Sequence, residues 1–159
     1  MDEVDRKLLD LLQQDAARSL SYLGDCVNLS PSAVHRRLAR LRSSQAIARQ
    51  VAVLSDDVLP GIVRACVLVS LERESAKLHS GFRERVRSVP EVQQCYDISG
   101  AWDYLVVLAA EGMPACRATI DRLFLDAPNV KRYETLFVME IIKLGMAVPL
   151  AKRSRRAAK

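Results

Sequence analysis

The stretch "LSPSAVHRRLARLR", residues 29–42, constrains the fold of this chain more than any other segment. Ser30 followed by Pro31 signals a helix start, because a hydroxyl can cap the first turn and proline suits the first helical position. Successive residues of a helix are turned by roughly 100°, which puts three apolar side chains in one narrow stripe: Val34, Leu38 and Leu41. The sequence therefore predicts a helix that buries this stripe against other helices and presents its arginines outward.

Two shorter amphipathic segments precede that helix. "DEVDRKLLDLLQQD" places apolar residues on one helical face, and "SLSYLGDCVNLS" predicts a second helix that ends at Asn28, a residue that tolerates the left-handed conformation. A tight turn between the last two of three short helices predicts a helix-turn-helix over about residues 20–42. The alternating, valine-rich "AIARQVAVLS" after it predicts a connecting strand over residues 46–54, so a first domain is expected over 1–54.

The rest of the chain has a different pattern. "SDDVLPG", residues 55–61, is typical of a linker, and residues 62–143 then alternate strand-like and helix-like segments in the order β-α-β-β-α-β. Two similar βαβ halves predict a ferredoxin-like domain with an antiparallel sheet and both helices on one face, which makes the chain α+β overall. Since the strands are apolar at both alternating phases, we expect a second copy of the chain to cover the other face.

Charge on the third helix indicates a partner. Residues 30–50 hold five arginines and no acid in a chain of net charge +5, which suits double-stranded DNA. Ser32, Arg36 and Arg40 are expected to face base edges, whereas Arg37 and Arg42 are expected to meet phosphates. The full set of candidate DNA-binding residues is Ser30, Ser32, His35, Arg36, Arg37, Arg40 and Arg42. A solvated surface helix is the alternative interpretation.

"SGAWDYL", residues 99–105, is the second candidate site. Backbone groups around Gly100 could hold a carboxylate and Asp103 could hold an ammonium group, so an amino acid would fit. The alternative is a hairpin turn with aromatic packing and no ligand.

Together, "LSPSAVHRRLARL", the βαββαβ order and "SGAWDYL" resemble the leucine-responsive regulator/AsnC (Lrp/AsnC) family of bacterial transcription regulators, from residue 2 to about 143. The resemblance implies an N-terminal DNA-binding domain and a C-terminal domain that binds a small effector, commonly an amino acid. It also implies a homo-oligomer, a dimer that commonly assembles into an octamer. The effector residues that it implies are Gly100, Ala101, Trp102, Asp103 and Tyr104 in the loop, and Thr135 and Leu136 on the last strand.

Two other functions are less consistent with the sequence than a regulator. One is an architectural DNA-binding protein without an effector. Another is an enzyme, because some tetrapyrrole-processing decarboxylases resemble this two-part architecture. Such chemistry would need histidines and arginines lining the second domain's pocket, but of the two histidines His35 lies on the basic helix and His79 is expected to be solvated on a polar helix face. No catalytic residue, metal or cofactor is therefore expected.

The remaining features indicate an ordinary cytoplasmic protein. The start is too charged for a signal peptide, and no apolar run is long enough to span a membrane. The cysteines lack the close spacing of a metal or redox motif, so we expect them in the core: Cys26, Cys66, Cys95 and Cys116. Residues 144–159 hold five basic residues and no acid, which predicts a flexible tail that solubilises the chain or contacts phosphates.

Overall fold

The structure is a computed structural model that describes residues 1–73, 75–125 and 127–150. Contacts within the chain divide it into two units, residues 1–53 together with 143–150, and residues 54–142. Within the described ranges, every helix is too short or too polar to cross a membrane.

Three helices build the N-terminal unit. They are α1 (Glu3–Gln14), α2 (Leu20–Val27) and α3 (Pro31–Ser43). Their apolar faces meet in one core, and its buried members are Leu8, Leu23, Val34, Leu38 and Leu41. The predicted stripe of α3 is therefore buried, and the expected helix-turn-helix is confirmed by α2 and α3.

Local signals set the turn between α2 and α3. Asn28 ends α2 in the left-handed conformation, at φ 56° and ψ 48°. The backbone N–H of Ala33 donates to the Ser30 hydroxyl over 3.3 Å, which confirms the predicted cap. Gly24 in α2 allows the turn to approach closely, since a Cβ at this position would lie 2.5 Å from the carbonyl oxygen of Leu29.

The second unit has the expected β-α-β-β-α-β order. Its elements are β1 (Ile62–Leu71), α4 (Ala76–Arg87), β2 (Val92–Asp97), β3 (Tyr104–Glu111), α5 (Gly112–Ile120) and β4 (Val130–Phe137). A short 3-10 turn at Asp56–Val58 precedes β1, and a π-helical turn at Asp121–Leu125 follows α5. The sheet order is β2-β3-β1-β4 with every neighbouring pair antiparallel, which confirms the ferredoxin-like prediction.

The two faces of the sheet differ. One face packs with α4 and α5 into a core that includes Val67, Val106, Phe82 and Phe124, so both helices cover the same face, as expected. The other face carries half-buried or exposed apolar side chains from three strands. These are Cys66, Leu68, Leu105, Val107 and Leu136.

Two predicted strands are corrected. Residues 46–54 form turns and irregular chain without any ladder, although every one of them is described. Alternation alone does not make a strand, because a strand also needs a hydrogen-bonded neighbour. The last strand, expected over 129–143, ends at Phe137, which pairs with Ala65. Val138 still donates its backbone N–H to the Arg64 carbonyl over 2.9 Å, but β1 begins at Ile62, so in this register residues beyond 140 would have no partner on β1.

The cysteines and the C-terminal segment differ from expectation. Cys116 is buried and Cys26 and Cys66 are half-buried, but Cys95 is exposed, so the core prediction is wrong for Cys95. Residues 144–150 do not extend freely, because Val148 exchanges two hydrogen bonds with the Gln13 side chain of α1, over 3.0 and 2.7 Å. The rest of the predicted tail, 151–159, lies outside the described residues.

Candidate functional sites

The outward surface of α3 is the first candidate site. Ser32, His35, Arg36 and Arg42 are exposed, as the helical phase predicts. Arg42 makes one long contact, in which Nη2 donates to the Gln50 side chain over 3.4 Å. These side chains are positioned by the buried stripe on the opposite side of the same helix and by the Ser30 cap. The surface thus offers cations, a hydroxyl and an imidazole to a ligand.

Two further arginines of α3 are held by α1. Arg37 Nη1 donates to Asp2 Oδ2 over 2.7 Å and to Asp5 Oδ1 over 2.8 Å. Arg40 is 60% exposed, and its Nη2 donates to Asp5 Oδ2 over 2.7 Å. The predicted roles of Arg37 at phosphates and Arg40 at bases stay predictions, but both guanidinium groups already have acidic partners within the chain.

Asp5, which holds both of these arginines, is not among the residues that the sequence predicts for the site. Its side chain is only 1% exposed, and it also joins a capping box with Asp2 at the start of α1. Asp2 has its pKa lowered by the backbone N–H of Asp5, with the hydrogen bond from Arg37 as the next cause. The sequence does indicate that Asp5 is buried, since it lies one turn before Leu8 on the face of α1 that enters the core.

The loop between β2 and β3 is the second candidate site. Leu71 donates its backbone N–H to Asp103 Oδ2 over 2.6 Å, and Asp103 N–H donates to the Val69 carbonyl over 2.9 Å. Asp103 therefore ties this loop to the end of β1. Gly100 has φ +129°, a conformation that favours glycine. A carboxylate has about four lone-pair sites, so Asp103 retains acceptor capacity for an ammonium group.

Arg132 of β4 joins this loop, although it was not among the predicted site residues. Its guanidinium carbon lies 4.4 Å from the centre of the Trp102 ring, and its Nη2 donates to the Ala101 carbonyl over 3.4 Å. The register of β4 on β1 pairs Arg132 with Ser70, close to where the loop is tied. No sequence motif marks this residue, because strand register alone brings it to the loop.

Tyr104 points away from the exposed loop. It is 1% exposed and packs in the core between the sheet and α4. Its hydroxyl lies 2.6 Å from His79 Nδ1 and accepts from Arg83 Nε over 3.2 Å, and Arg83 also pairs with Asp97 over 2.6 Å. Burial raises the pKa of Tyr104, whereas the Arg83 hydrogen bond opposes that shift. The expectation that His79 is solvated is wrong, because α4 turns its ring toward this phenol.

Thr135 and Leu136 do not share a pocket wall within one chain. Thr135 pairs with Val67, which faces the helices, whereas Leu136 pairs with Cys66 on the open face of the sheet. Adjacent strand residues point to opposite faces, so these two side chains diverge. The structure brings the loop and Arg132 together, but it does not bring Thr135 and Leu136 together with them.

Comparison with known proteins places both sites in recognised domains. The family model of the AsnC-type helix-turn-helix domain matches residues 1–42, and that of the Lrp/AsnC ligand binding domain matches residues 64–148. The chain belongs to the Lrp/AsnC family. The α3 surface lies in the first match, and the loop with Arg132 lies in the second.

Individual members of the Lrp/AsnC family match over most of the chain. The DNA-binding transcriptional activator DecR of Escherichia coli is 31% identical over 150 residues, 94% of this chain and 99% of DecR. An AsnC family regulator from Agrobacterium tumefaciens is 30% identical with a TM-score of 0.84, covering 94% of this chain and 97% of that structure. A Neisseria meningitidis regulator in complex with L-Met is 29% identical with the same TM-score, 0.84, and the same coverage, 94% and 97%.

This Lrp/AsnC protein is therefore a helix-turn-helix transcription regulator that binds DNA and carries a ligand-binding domain. The resemblance stated from the sequence is confirmed. Its residue-level assignments stay predictions.

Proposed function

We propose that this regulator recognises duplex DNA mainly through Arg36 and its exposed neighbours on α3. One observation carries the proposal: α3 buries its apolar stripe and exposes Ser32, His35, Arg36 and Arg42 in a stretch without any acid. An exposed arginine on a recognition helix can donate twice to a guanine edge in the major groove. Arg42 near the end of α3 is assigned to the phosphate backbone. As a DNA-binding protein, the regulator would act in the cytoplasm.

Arg36→Ala tests this role. We expect the variant to lose about 1–3 kcal/mol of affinity for its preferred site and to relax the preference at one position. The preferred site is first selected by the full-length protein from a randomised duplex library, and affinities are measured by fluorescence anisotropy. Arg117→Ala is the matched control, because Arg117 is an exposed arginine on α5. An unchanged site preference in Arg36→Ala would contradict the assignment.

The ligand of the second domain is proposed to be an amino acid bound at the loop of residues 99–104. Support comes from the opposite charges at this loop: Asp103 retains acceptor capacity for an ammonium group, and the Arg132 guanidinium and the backbone near Gly100 can donate to a carboxylate. The Neisseria relative was solved with L-Met, an amino acid with both groups. Trp102 would line the site with its ring.

Thermal unfolding with a panel of free amino acids tests this proposal. A ligand at a hundred times its dissociation constant stabilises the folded state by about 2.7 kcal/mol. Arg132→Ala should abolish the shift, whereas Lys131→Ala, an exposed neighbour on the same strand, should retain it. If no amino acid raises the unfolding temperature, the effector proposal fails and an effector-independent DNA-binding protein becomes the better account.

We further propose a homo-oligomer, at least a dimer, built on the open face of the sheet. Cys66, Leu68, Leu105 and Val107 lie in adjacent rows of β1 and β3, with the 47% exposed Leu136 beside Cys66. A contiguous apolar surface of this kind is typical of an interface. Light scattering should give at least twice the monomer mass, and Val107→Glu should reduce it. A monomeric wild-type protein would contradict the proposed homo-oligomer.

A further inference from the structure

Asp5 is the buried charged residue at the junction of α1 and α3. Its carboxylate accepts from three donors: Arg37 over 2.8 Å, Arg40 over 2.7 Å and the backbone N–H of Asp2 over 3.1 Å. A buried carboxylate is retained only when it is paired and hydrogen-bonded, and Asp5 meets that condition fully. The Asp5 carboxylate therefore pairs with two arginines of α3.

Charge balance divides the arginines of α3 into two classes. Arg37 and Arg40 face two acids, Asp2 and Asp5, so this cluster has no net charge. No salt bridge is found for Arg36 or Arg42 within the described residues, so no described acid pairs with their charge. The salt-dependent part of the affinity for DNA grows with the number of phosphates that lysines and arginines neutralise. Half of the arginines on α3 thus have their charge balanced by acids of α1, with Arg37 26% and Arg40 60% exposed.

We propose that Asp5 is a specificity-determining positioning residue, which holds Arg37 and Arg40 against α1 so that neither guanidinium binds phosphates and Arg36 is left to read bases. This inference rests on the proposed recognition of DNA by α3. Sequence-independent binding comes from phosphate contacts, so restraining two arginines lowers the affinity for random DNA without touching the base-reading side chain. The ratio of specific to non-specific affinity is higher as a result.

Asp5→Asn tests the proposal in the full-length protein. The amide has one acceptor oxygen and no charge, so it cannot hold both guanidinium groups. The probes are the selected duplex and a scrambled duplex of the same composition, each titrated at several salt concentrations. Each released arginine that meets a phosphate steepens the slope of log K against log salt by about 0.9. We expect a steeper slope, tighter binding of the scrambled duplex and a smaller specificity ratio.

Glu3→Gln is the matched control, because it removes the same charge from the first turn of α1 at an exposed position. It should leave the slope and the specificity ratio nearly unchanged. A purely structural role of Asp5 would lower the unfolding temperature and the active fraction but would leave the slope and the ratio at their wild-type values. That result for Asp5→Asn overturns the proposal.

Arg40→Ala gives an independent answer even if Asp5→Asn does not fold. Because Arg40 is held by Asp5, its removal should leave the salt slope unchanged, whereas Arg42→Ala should reduce it by about 0.9. A loss of about 0.9 in Arg40→Ala would mean that Arg40 binds a phosphate, which overturns the proposal. If the wild-type protein binds no duplex in a salt-sensitive way, the proposed function itself fails. This outcome is distinct from an unchanged slope and ratio in Asp5→Asn and from a reduced slope in Arg40→Ala, which overturn only the role of Asp5.

Discussion

Each of the two units of this regulator buries a polar side chain, charged in one unit and neutral in the other. The DNA-binding unit buries a carboxylate, Asp5, which Arg37 and Arg40 neutralise. The ligand-binding unit buries a phenol, Tyr104, which contacts His79 and Arg83. A buried carboxylate depends on its partners much more than a neutral hydroxyl does, because an unpaired charge is far more costly in the interior. The first network fixes two arginines of α3 against α1, whereas the second connects α4 to the sheet.

The cores differ as well. Among the described residues, five buried apolar side chains form the core of the DNA-binding unit and fourteen form that of the ligand-binding unit. A small core has less stabilisation to lose, since the fraction of surface that a domain buries rises with its size. The DNA-binding unit therefore depends more on caps, close approaches and ion pairs, whereas the ligand-binding unit depends more on apolar packing.

The largest expected effect comes from matched leucine truncations. Leu38→Ala and Leu108→Ala each remove a buried side chain, at a cost of about 3 kcal/mol. Because its core is smaller, the DNA-binding unit should lose its fold in Leu38→Ala, whereas the ligand-binding unit should stay folded in Leu108→Ala. Urea titrations followed by circular dichroism, with duplex binding as a second measure, compare the two. Equal loss of structure in both variants would contradict the expected difference in stability between the two units.

Two glycine substitutions should change the free energy of unfolding in opposite directions. Gly24→Ala forces a methyl group to 2.5 Å from the Leu29 carbonyl oxygen, so we expect a loss of about 1–3 kcal/mol. Gly81 in α4 has open space around it, so Gly81→Ala should gain about 0.5–1 kcal/mol from helix propensity. Thermal unfolding measures both. A neutral Gly24→Ala would mean that the close turn does not limit the DNA-binding unit.

The smallest expected effect concerns Tyr104. Tyr104→Phe removes a hydroxyl that has two partners, at a cost of about 1 kcal/mol near neutral pH. Because burial raises the pKa of Tyr104, the folded state favours the neutral phenol. Its contribution is fully present below the ordinary tyrosine pKa of about 10 and is lost as the pH rises through the raised value.

Urea unfolding across that alkaline range checks whether the stability contributed by Tyr104 falls as the pH rises. Wild-type stability should fall more steeply with pH than that of Tyr104→Phe, and the difference between them isolates Tyr104 from the other titrating groups. Parallel curves would mean that the Tyr104 phenol is not desolvated. The ligand-binding unit would then have no buried neutral hydroxyl to compare with the buried charge of Asp5.

Much of the fold could be predicted because its signals are local. The Ser30 cap, the Asn28 helix end and the stripe on α3 all act within a few residues, and each is found where the pattern placed it. The order of strands and helices follows from periodicity in the same way. The strand expected over 46–54 was wrong because alternation reports side-chain faces but does not report whether a neighbouring strand exists.

The candidate site of the second unit was less predictable. Tyr104 and Trp102 are neighbours in one motif, yet one is buried under α4 and the other lies against Arg132. Which residue faces which side depends on the pairing of β3 with β1, and that register is set across the sheet. Arg132 carries no local signal and reaches the loop only through its pairing on β1.

The helix-turn-helix, the βαββαβ order and the excess of positive charge on α3 can be predicted from the amino-acid sequence alone, because caps, periodicity and charge are properties of short segments. Which of those charges pair with acids elsewhere in the chain depends on the packing of α1 against α3. Arg37 and Arg40 meet Asp5 from 32 and 35 residues away in the chain. Contacts over such separations depend on how helices pack, and helix packing is decided by the burial of the whole apolar face.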